Sequence, residues 1–363
     1  MKRIYLTVTN DLSFDQRMHR ICTSLAGAGY AVCLVGRQLP HSLPLERKAF
    51  RQKRLRCFFN KGFLFYGEYN LRLFFYLLFK KTDALCAIDL DTILPCLCVS
   101  ALRRKTRIYD AHEYFTELKE VRTRPRVRRF WSIVEKIAVP RFRLGYTVSE
   151  GLADEFRRRY GRNYAVVRNL PVLRLWEETE KGDPYLYYQG AVNEARGFEY
   201  LIPALRFVDC PLIVCGDGNF MDRLKALIHE HGVEDRVILK GMMRPDDMWP
   251  LALRATLGMG LAEREGVNQF HALPNKFLDY LHAGLPQVAM AYPEYEKINR
   301  QYEVAVLLDE LTVEGVARKI NETLKDKALL ARLHAACLRA RDIYCWQHEE
   351  AILIDFYRKN LGA

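Results

Sequence analysis

Two successive series of strand-length apolar runs, each run followed by a helix-length amphipathic segment, constrain this chain more than any other feature. Such alternation is the pattern of parallel α/β sheets with helices packed on their faces. The first series falls at 3–9, 31–35, 84–88, 107–109, 144–148 and 165–167, and the second at 185–188, 212–215, 237–239, 257–261, 287–290 and 304–307. Three further helices are predicted near 312–325, 327–341 and 346–359. Ser13 and Gln16 have capping-box spacing for the first helix, which Gly29 stops, and Ser149 stands as the cap of the segment GLADEFRRRYG. Asn169, Pro171, Gly182 and Pro184 interrupt the pattern, so a linker is expected over 169–183. The reading is α/β, with two Rossmann-like doubly wound domains at 1–170 and 171–345 and the helix of 346–363 packing back on the first.

With 363 residues, 50% of them hydrophobic and 28% charged, the chain has material for two cores and is not of disordered composition. Uncharged stretches such as 73–79 and 92–102 fall short of the roughly 18–20 residues of a membrane span. The basic start meets Thr7, Asn10 and Asp11 too early for a signal peptide and reads as a first strand. The 10 cysteines sit singly in apolar runs without C-x2-C spacing, which points to a reduced, cytoplasmic protein with no metal site. The charge is uneven: residues 1–168 hold 33 Lys and Arg against 15 Asp and Glu, while residues 169–363 hold 23 against 29. A basic first half suggests an anionic partner, either a membrane surface or nucleic acid; a solvated basic face is the plainer alternative.

Ligands of parallel α/β sheets bind beyond the carboxyl ends of the strands, where loops lead into helix N-termini. Five such loops carry suitable groups. In the first, Asp11 and Asp15 could receive hydroxyls and Arg17 and His19 a phosphate, unless Ser13 and Asp15 serve only as caps. The second sets His112 beside Asp110, Glu113 and Tyr114, a group suited to binding a sugar or to acid–base work. The third, at 188–197, offers Gly190 for close backbone approach and Arg196 as a diphosphate clamp. The fourth, Gly216-Asp217-Gly218, is a tight loop with room for a nucleotide, although Met221 replaces the last glycine of G-x-G-x-x-G. In the fifth, a helix opening at Pro274 puts Lys276 and Asp279 on one face, fit for a phosphate and a ribose or else an ordinary ion pair. Asp89-Leu90-Asp91 has D-x-D form but lies far in sequence from the nucleotide-like loops, and we read it as lining a cleft.

Together these segments resemble retaining family 4 glycosyltransferases of the GT-B fold. PNKFLDYLHAGLP is similar to that family's P-x-K-x-x-E-Y-x-A-x-G-x-P donor motif, VVRNLP to its V-x-x-N-G-V, and VSEGLADEF to its V-S-x-x-L-A-x-x-F. The GDG loop and VILKGMM also match nucleotide-site segments of the family. The resemblance implies two facing domains, an N-terminal acceptor domain and a C-terminal donor domain. It also implies metal-independent transfer, without a cofactor, from a UDP- or GDP-sugar to a saccharide or lipid-linked acceptor in cell-envelope polysaccharide or glycoconjugate synthesis. By position, Arg196 and Lys276 would hold the diphosphate, Asp279 the ribose, and His112 the sugar near the reacting carbon. Gly190, Gly216, Gly218, Gly241, Met242 and Asn275 would complete the donor site. Asp11, Asp15, Arg17, Glu113 and Tyr114 are the acceptor-side candidates.

Two positions depart from the family. His271 stands where a sugar-gripping glutamate is common, with Glu265 or Asn268 as candidate substitutes, and Ala191 stands where a diphosphate arginine is usual. The alternatives are a nucleotide-sugar epimerase of the same fold, an inactive scaffold and a nucleic-acid-binding protein; no nucleic-acid motif is present. The bases Arg47, Lys48, Arg51, Lys53, Arg54, Arg56 and those of 122–129, interleaved with Phe58, Phe59, Phe63, Phe130 and Trp131, are expected to dock the first half peripherally on an anionic inner membrane leaflet.

Overall fold

The computed structural model describes residues 1–362 except Phe14, Trp176, Glu177, Lys181 and Glu265, and of Glu120 only the backbone. The chain forms two compact units, one of Met1–Asn169 with Glu349–Ala363 and the other of Leu170–His348.

Unit 1 runs β1 (Arg3–Thr7), α1 (Gln16–Gly27), β2 (Ala31–Gln38), β3 (Arg51–Arg56), α2 (Gly62–Leu78), β4 (Ala84–Ile88), α3 (Ile93–Leu102), β5 (Thr106–Ala111), α4 (Lys119–Arg122), α5 (Pro125–Ala138), β6 (Leu144–Thr147), α6 (Glu150–Tyr160) and β7 (Ala165–Val166). Its seven strands are parallel in the order β3-β2-β1-β4-β5-β6-β7. The central strand β4, ALCAI, is buried throughout, as a strand covered on both faces must be. The order reverses between β1 and β4, and the loops leaving these two strands are the ones that can line a crevice.

Unit 2 runs β8 (Leu186–Gln189), α7 (Phe198–Ala204), β9 (Leu212–Cys215), α8 (Met221–Glu230), β10 (Val237–Gly241), α9 (Pro245–Arg254), β11 (Leu257–Gly260), α10 (Gly266–His271), α11 (Asn275–His282), β12 (Gln287–Met290), α12 (Pro293–Tyr302), β13 (Ala305–Leu308), α13 (Val313–Lys325) and α14 (Lys327–Ile343). Its six parallel strands repeat the topology, β10-β9-β8-β11-β12-β13, with the reversal between β8 and β11. The last helix, α15 (Trp346–Leu361), belongs to unit 1 from Glu349 onward. There the Tyr357 hydroxyl lies 3.3 Å from that of Tyr146, and Glu349 accepts the backbone N–H of Arg168 at 2.6 Å.

Strand β3 is a correction. Its sequence RQKRLR carries four bases and reads as a surface charge cluster, yet it pairs along its length with β2. It is an edge strand, where lysine and arginine discourage pairing with foreign strands. Arg54 turns inward, its guanidinium 2.6 Å from both Asp11 Oδ1 and Ser13 Oγ. That contact also removes Ser13 from the predicted capping box. Asp15, immediately before the first turn, caps α1 instead, accepting the Met18 N–H at 3.1 Å. Ser149 does cap α6, and Gly161 ends it in the left-handed conformation. All ten cysteines are free, and no helix among the described residues is long and apolar enough to cross a membrane.

Candidate active site

In unit 2 the candidate groups gather at the carboxyl ends of β8, β9 and β10 and at the start of α11. Gly190 and Gly216 both have positive φ, +116° and +149°, and their loops are in direct contact. The Gly190 N–H donates to Cys215 O at 2.9 Å and the Gly216 N–H to Gly241 O at 2.8 Å. A Cβ on Gly216 would lie 1.9 Å from Gly190 O, and one on Gly218 2.3 Å from Val192 O. The 190–193 backbone therefore fills the Cβ side of both GDG glycines, so neither position has space for a side chain. Gly190 is different, because a Cβ there would approach only Lys276 Cε, at 3.9 Å.

Lys276 lies in the first turn of α11, its ammonium 3.6 Å from the centre of the Tyr188 ring. Burial, reinforced by the nearby Arg196 guanidinium, pushes its pKa well below the lysine range. Among the described residues no carboxylate forms an ion pair with either cation. Lys276 does not pair with Asp279, one turn on, whose Oδ2 accepts from Gln189 Nε2 at 2.8 Å. Asn275 opens the helix and is exposed, and Met242, just beyond β10, is 77% exposed. Two neighbouring cations, a helix N-terminus and an open glycine are groups that could hold an anion.

In unit 1 the loops after β4 and β5 build a network in which each charge is answered. Asp110, fully buried, accepts from His112 Nε2 at 3.0 Å and from Arg17 Nη2 at 3.2 Å. Asp89 accepts the His112 backbone N–H at 2.8 Å, and its other oxygen lies 3.9 Å from His112 Nδ1. Asp89 adopts a φ of 54°, unusual for a residue with a side chain, at a strand end where strain is held by its surroundings. Burial opposes ionisation of Asp110, but His112 and Arg17 hold its carboxyl below the usual range. Burial likewise disfavours charge on His112, yet Asp110 and Asp89 raise its pKa. Burial pushes Asp89 up to about 7 and Asp91 to about 6, the latter against a hydrogen bond from Thr9.

The acceptor-side candidates divide. Asp11 is held by Arg54, Ser42 and the Ser13 N–H, Asp15 is a helix cap, and Arg17 is 6% exposed. Tyr114 is a correction: it is fully buried, its ring 5.3 Å from Phe156 and covered by Arg159, so it packs the core and meets no acceptor. Glu113 is exposed. His271 ends α10, half-buried, its ring 5.0 Å from that of Phe270, while Glu265 lies outside the described residues. Asp89 holds the His112 backbone N–H and Asp91 accepts from the Thr9 hydroxyl, and among the described residues no three His, Cys, Asp or Glu side chains gather as a metal site. Tyr188 and Gln189, which support Lys276 and Asp279, were not singled out from the sequence; their position at the end of a strand was the available signal.

Residues 176–337 match the family of glycosyl transferases group 1. No curated protein matches the chain. Among solved structures, sucrose-phosphate synthase from Thermosynechococcus elongatus is 16% identical over 99% of each chain, with a TM-score of 0.82. Anabaena HepE in complex with UDP and glucose is 14% identical over 100% of each chain, with a TM-score of 0.77. WaaG, a glycosyltransferase involved in lipopolysaccharide biosynthesis, is 16% identical over 99% of each chain, with a TM-score of 0.69. At these identities the likeness is one of fold.

Proposed function

We propose that the chain, whose residues 176–337 match the glycosyl transferases group 1 and whose fold is that of the solved GT-B structures, carries out a retaining, metal-independent transfer from a UDP- or GDP-sugar to a saccharide or lipid-linked acceptor. The pathway this suits is synthesis of a cell-envelope polysaccharide or glycoconjugate. The observation that carries the reading is the pair of Lys276, beside Gly190, and the nearby Arg196, two cations that pair with no described carboxylate. A diphosphate answers both. As the bond from the anomeric carbon to the diphosphate breaks and one to an acceptor hydroxyl oxygen forms, charge accumulates on the leaving phosphate. Fixed cations at that point lower the barrier because they need no reorganisation. Side-chain cations take the part that a divalent metal plays elsewhere, which is why we propose a metal-independent reaction.

In this reading Asp279 receives the ribose hydroxyls, Gly190, Gly216, Gly218, Gly241, Met242 and Asn275 border the nucleotide, and His112 donates to the sugar. Asp110 orients that imidazole and favours its charged form. HepE was solved with UDP, which makes UDP the first donor to try.

The test is thermal unfolding of the full chain with UDP, GDP and ADP, with and without EDTA. A ligand at 100 times its Kd stabilises by about 2.7 kcal/mol. A midpoint increase for one nucleotide, unchanged by EDTA, is the expected result. No increase with any of them overturns the donor assignment, and an increase that EDTA abolishes overturns metal independence.

A further inference from the structure

Strand β8 reads LYYQ, and all four of its residues are buried. Gln189 is the last of them, at the carboxyl end of a strand that borders the reversal of strand order, where a crevice can form. A buried amide is costly unless it is hydrogen-bonded, so its partner shows what the side chain is for. Unit 2 buries two glutamines among its described residues, Gln189 and Gln287. Gln287 donates to the backbone carbonyl of Phe277 at 3.0 Å and ties the start of β12 to α11. Gln189 instead donates to a side chain of the candidate site, Asp279 Oδ2, at 2.8 Å.

An ionised carboxylate only accepts, so the amide presents its nitrogen, and the contact holds one oxygen of Asp279 in place. Gln189 is itself held through its backbone. Its N–H donates to the Tyr280 hydroxyl at 3.1 Å, and that hydroxyl donates to Tyr187 O at 3.2 Å. Tyr280 follows Asp279 in α11 and is fully buried, so the strand end and the helix grip each other through adjacent residues. The choice of an amide has an electrostatic consequence. Lysine or arginine in its place would neutralise Asp279 and compete for phosphate, whereas an amide fixes the carboxylate and leaves its charge. A half-buried carboxylate with its charge intact and its rotation set is suited to accept from the neutral hydroxyls of a ligand. We propose that Gln189 is a positioning residue which, through Asp279, makes the site select a nucleotide with a full ribose over its deoxy forms. The inference rests on the reading of Asp279 as the ribose contact.

The test is calorimetric titration of the full chain with UDP and with dideoxy-UDP, which lacks both ribose hydroxyls, and with GDP and dideoxy-GDP as a second pair. The wild type should bind the ribose form of one pair at least about tenfold more tightly, the scale of hydrogen bonds to a charged group. Gln189→Met keeps the length of the side chain and loses the donor. In that variant the preference should fall below about threefold, with weaker binding of the ribose form and unchanged binding of the dideoxy form. A merely structural role would weaken both forms alike. Asp279→Ala should erase the preference, and adding Gln189→Met to it should change nothing further, because one residue acts through the other. The backbone bond to Tyr280 survives these changes, so the unfolding midpoint should stay close to that of the wild type. Gln189→Leu supplies the same readout should Gln189→Met fail to fold. A preference that survives Gln189→Met, an equal loss for both forms, or additive effects of the two positions overturns the inference and leaves the donor reading standing. A wild type that binds both forms alike overturns the ribose role of Asp279 and this inference with it. Absence of any nucleotide binding is the failure of the donor reading itself, and the inference falls with it.

Discussion

The two units place charged side chains at the same end of sheets with the same topology, and treat them in opposite ways. In unit 1 the buried Asp110 is met by Arg17 and His112, and Asp89 holds the backbone of His112. In unit 2 Arg196 and Lys276 stand together with no described carboxylate paired to either, and Lys276 rests on an aromatic ring. Charges answered inside the protein hold a loop in position, whereas like charges left together cost stability unless a ligand of opposite sign offsets them. The contrast supports the proposal that the first network positions and the second binds.

Removing one charge from each site should therefore have opposite consequences. Asp110→Ala leaves Arg17 buried without its partner and should cost about 3–5 kcal/mol in urea unfolding. Because the Asp110 pKa is depressed on folding, the wild-type advantage should be complete above the unfolded carboxyl value, about 3.9, and lost as pH falls through the folded value. Unchanged stability would mean that the network is not what holds the loop.

Lys276→Met should do the reverse. It removes a desolvated cation beside Arg196, so the unfolding midpoint should hold or rise, while the transfer rate falls by about 10²–10³ and the nucleotide shift disappears. A large loss of stability with transfer intact would erase the distinction between the units.

The smallest effect sharpens the comparison by counting protons. A diphosphate favours the charged ammonium and raises the depressed Lys276 pKa, so binding at a pH between the free and bound values should take up a fraction of a proton. Affinity should weaken as pH rises through the interval between the free and bound values. Calorimetry in buffers of different ionisation enthalpy measures the uptake, and Lys276→Met should abolish it.

How much of this was legible depended on whether a residue's role was set by its neighbours in the chain. Strands such as 84–88 and 212–215 could be read because burial on both faces leaves an uninterrupted apolar run. β3 could not, since an edge strand needs one partner and tolerates four bases. The start of α11 was legible because proline and the Lys276–Asp279 spacing act locally, whereas the engagement of Asp279 by Gln189 spans 90 residues and leaves no mark in either segment.

The same line divides the protein as a whole. Its sequence determined two doubly wound halves, their opposite net charge, and which loops carry cations, carboxylates and glycines. Periodicity, capping and composition act over a few residues and survive in the linear text. Only the tertiary structure decided that Arg17 and Asp110, 93 positions apart, neutralise each other, that Trp131 turns inward while Leu71 and Phe75 stay out, and that Arg196 and Lys276 meet without a counter-charge. Ionic pairing and burial are properties of distance in space, and the crossovers of a parallel sheet bring distant residues together whose spacing in sequence carries no trace of it.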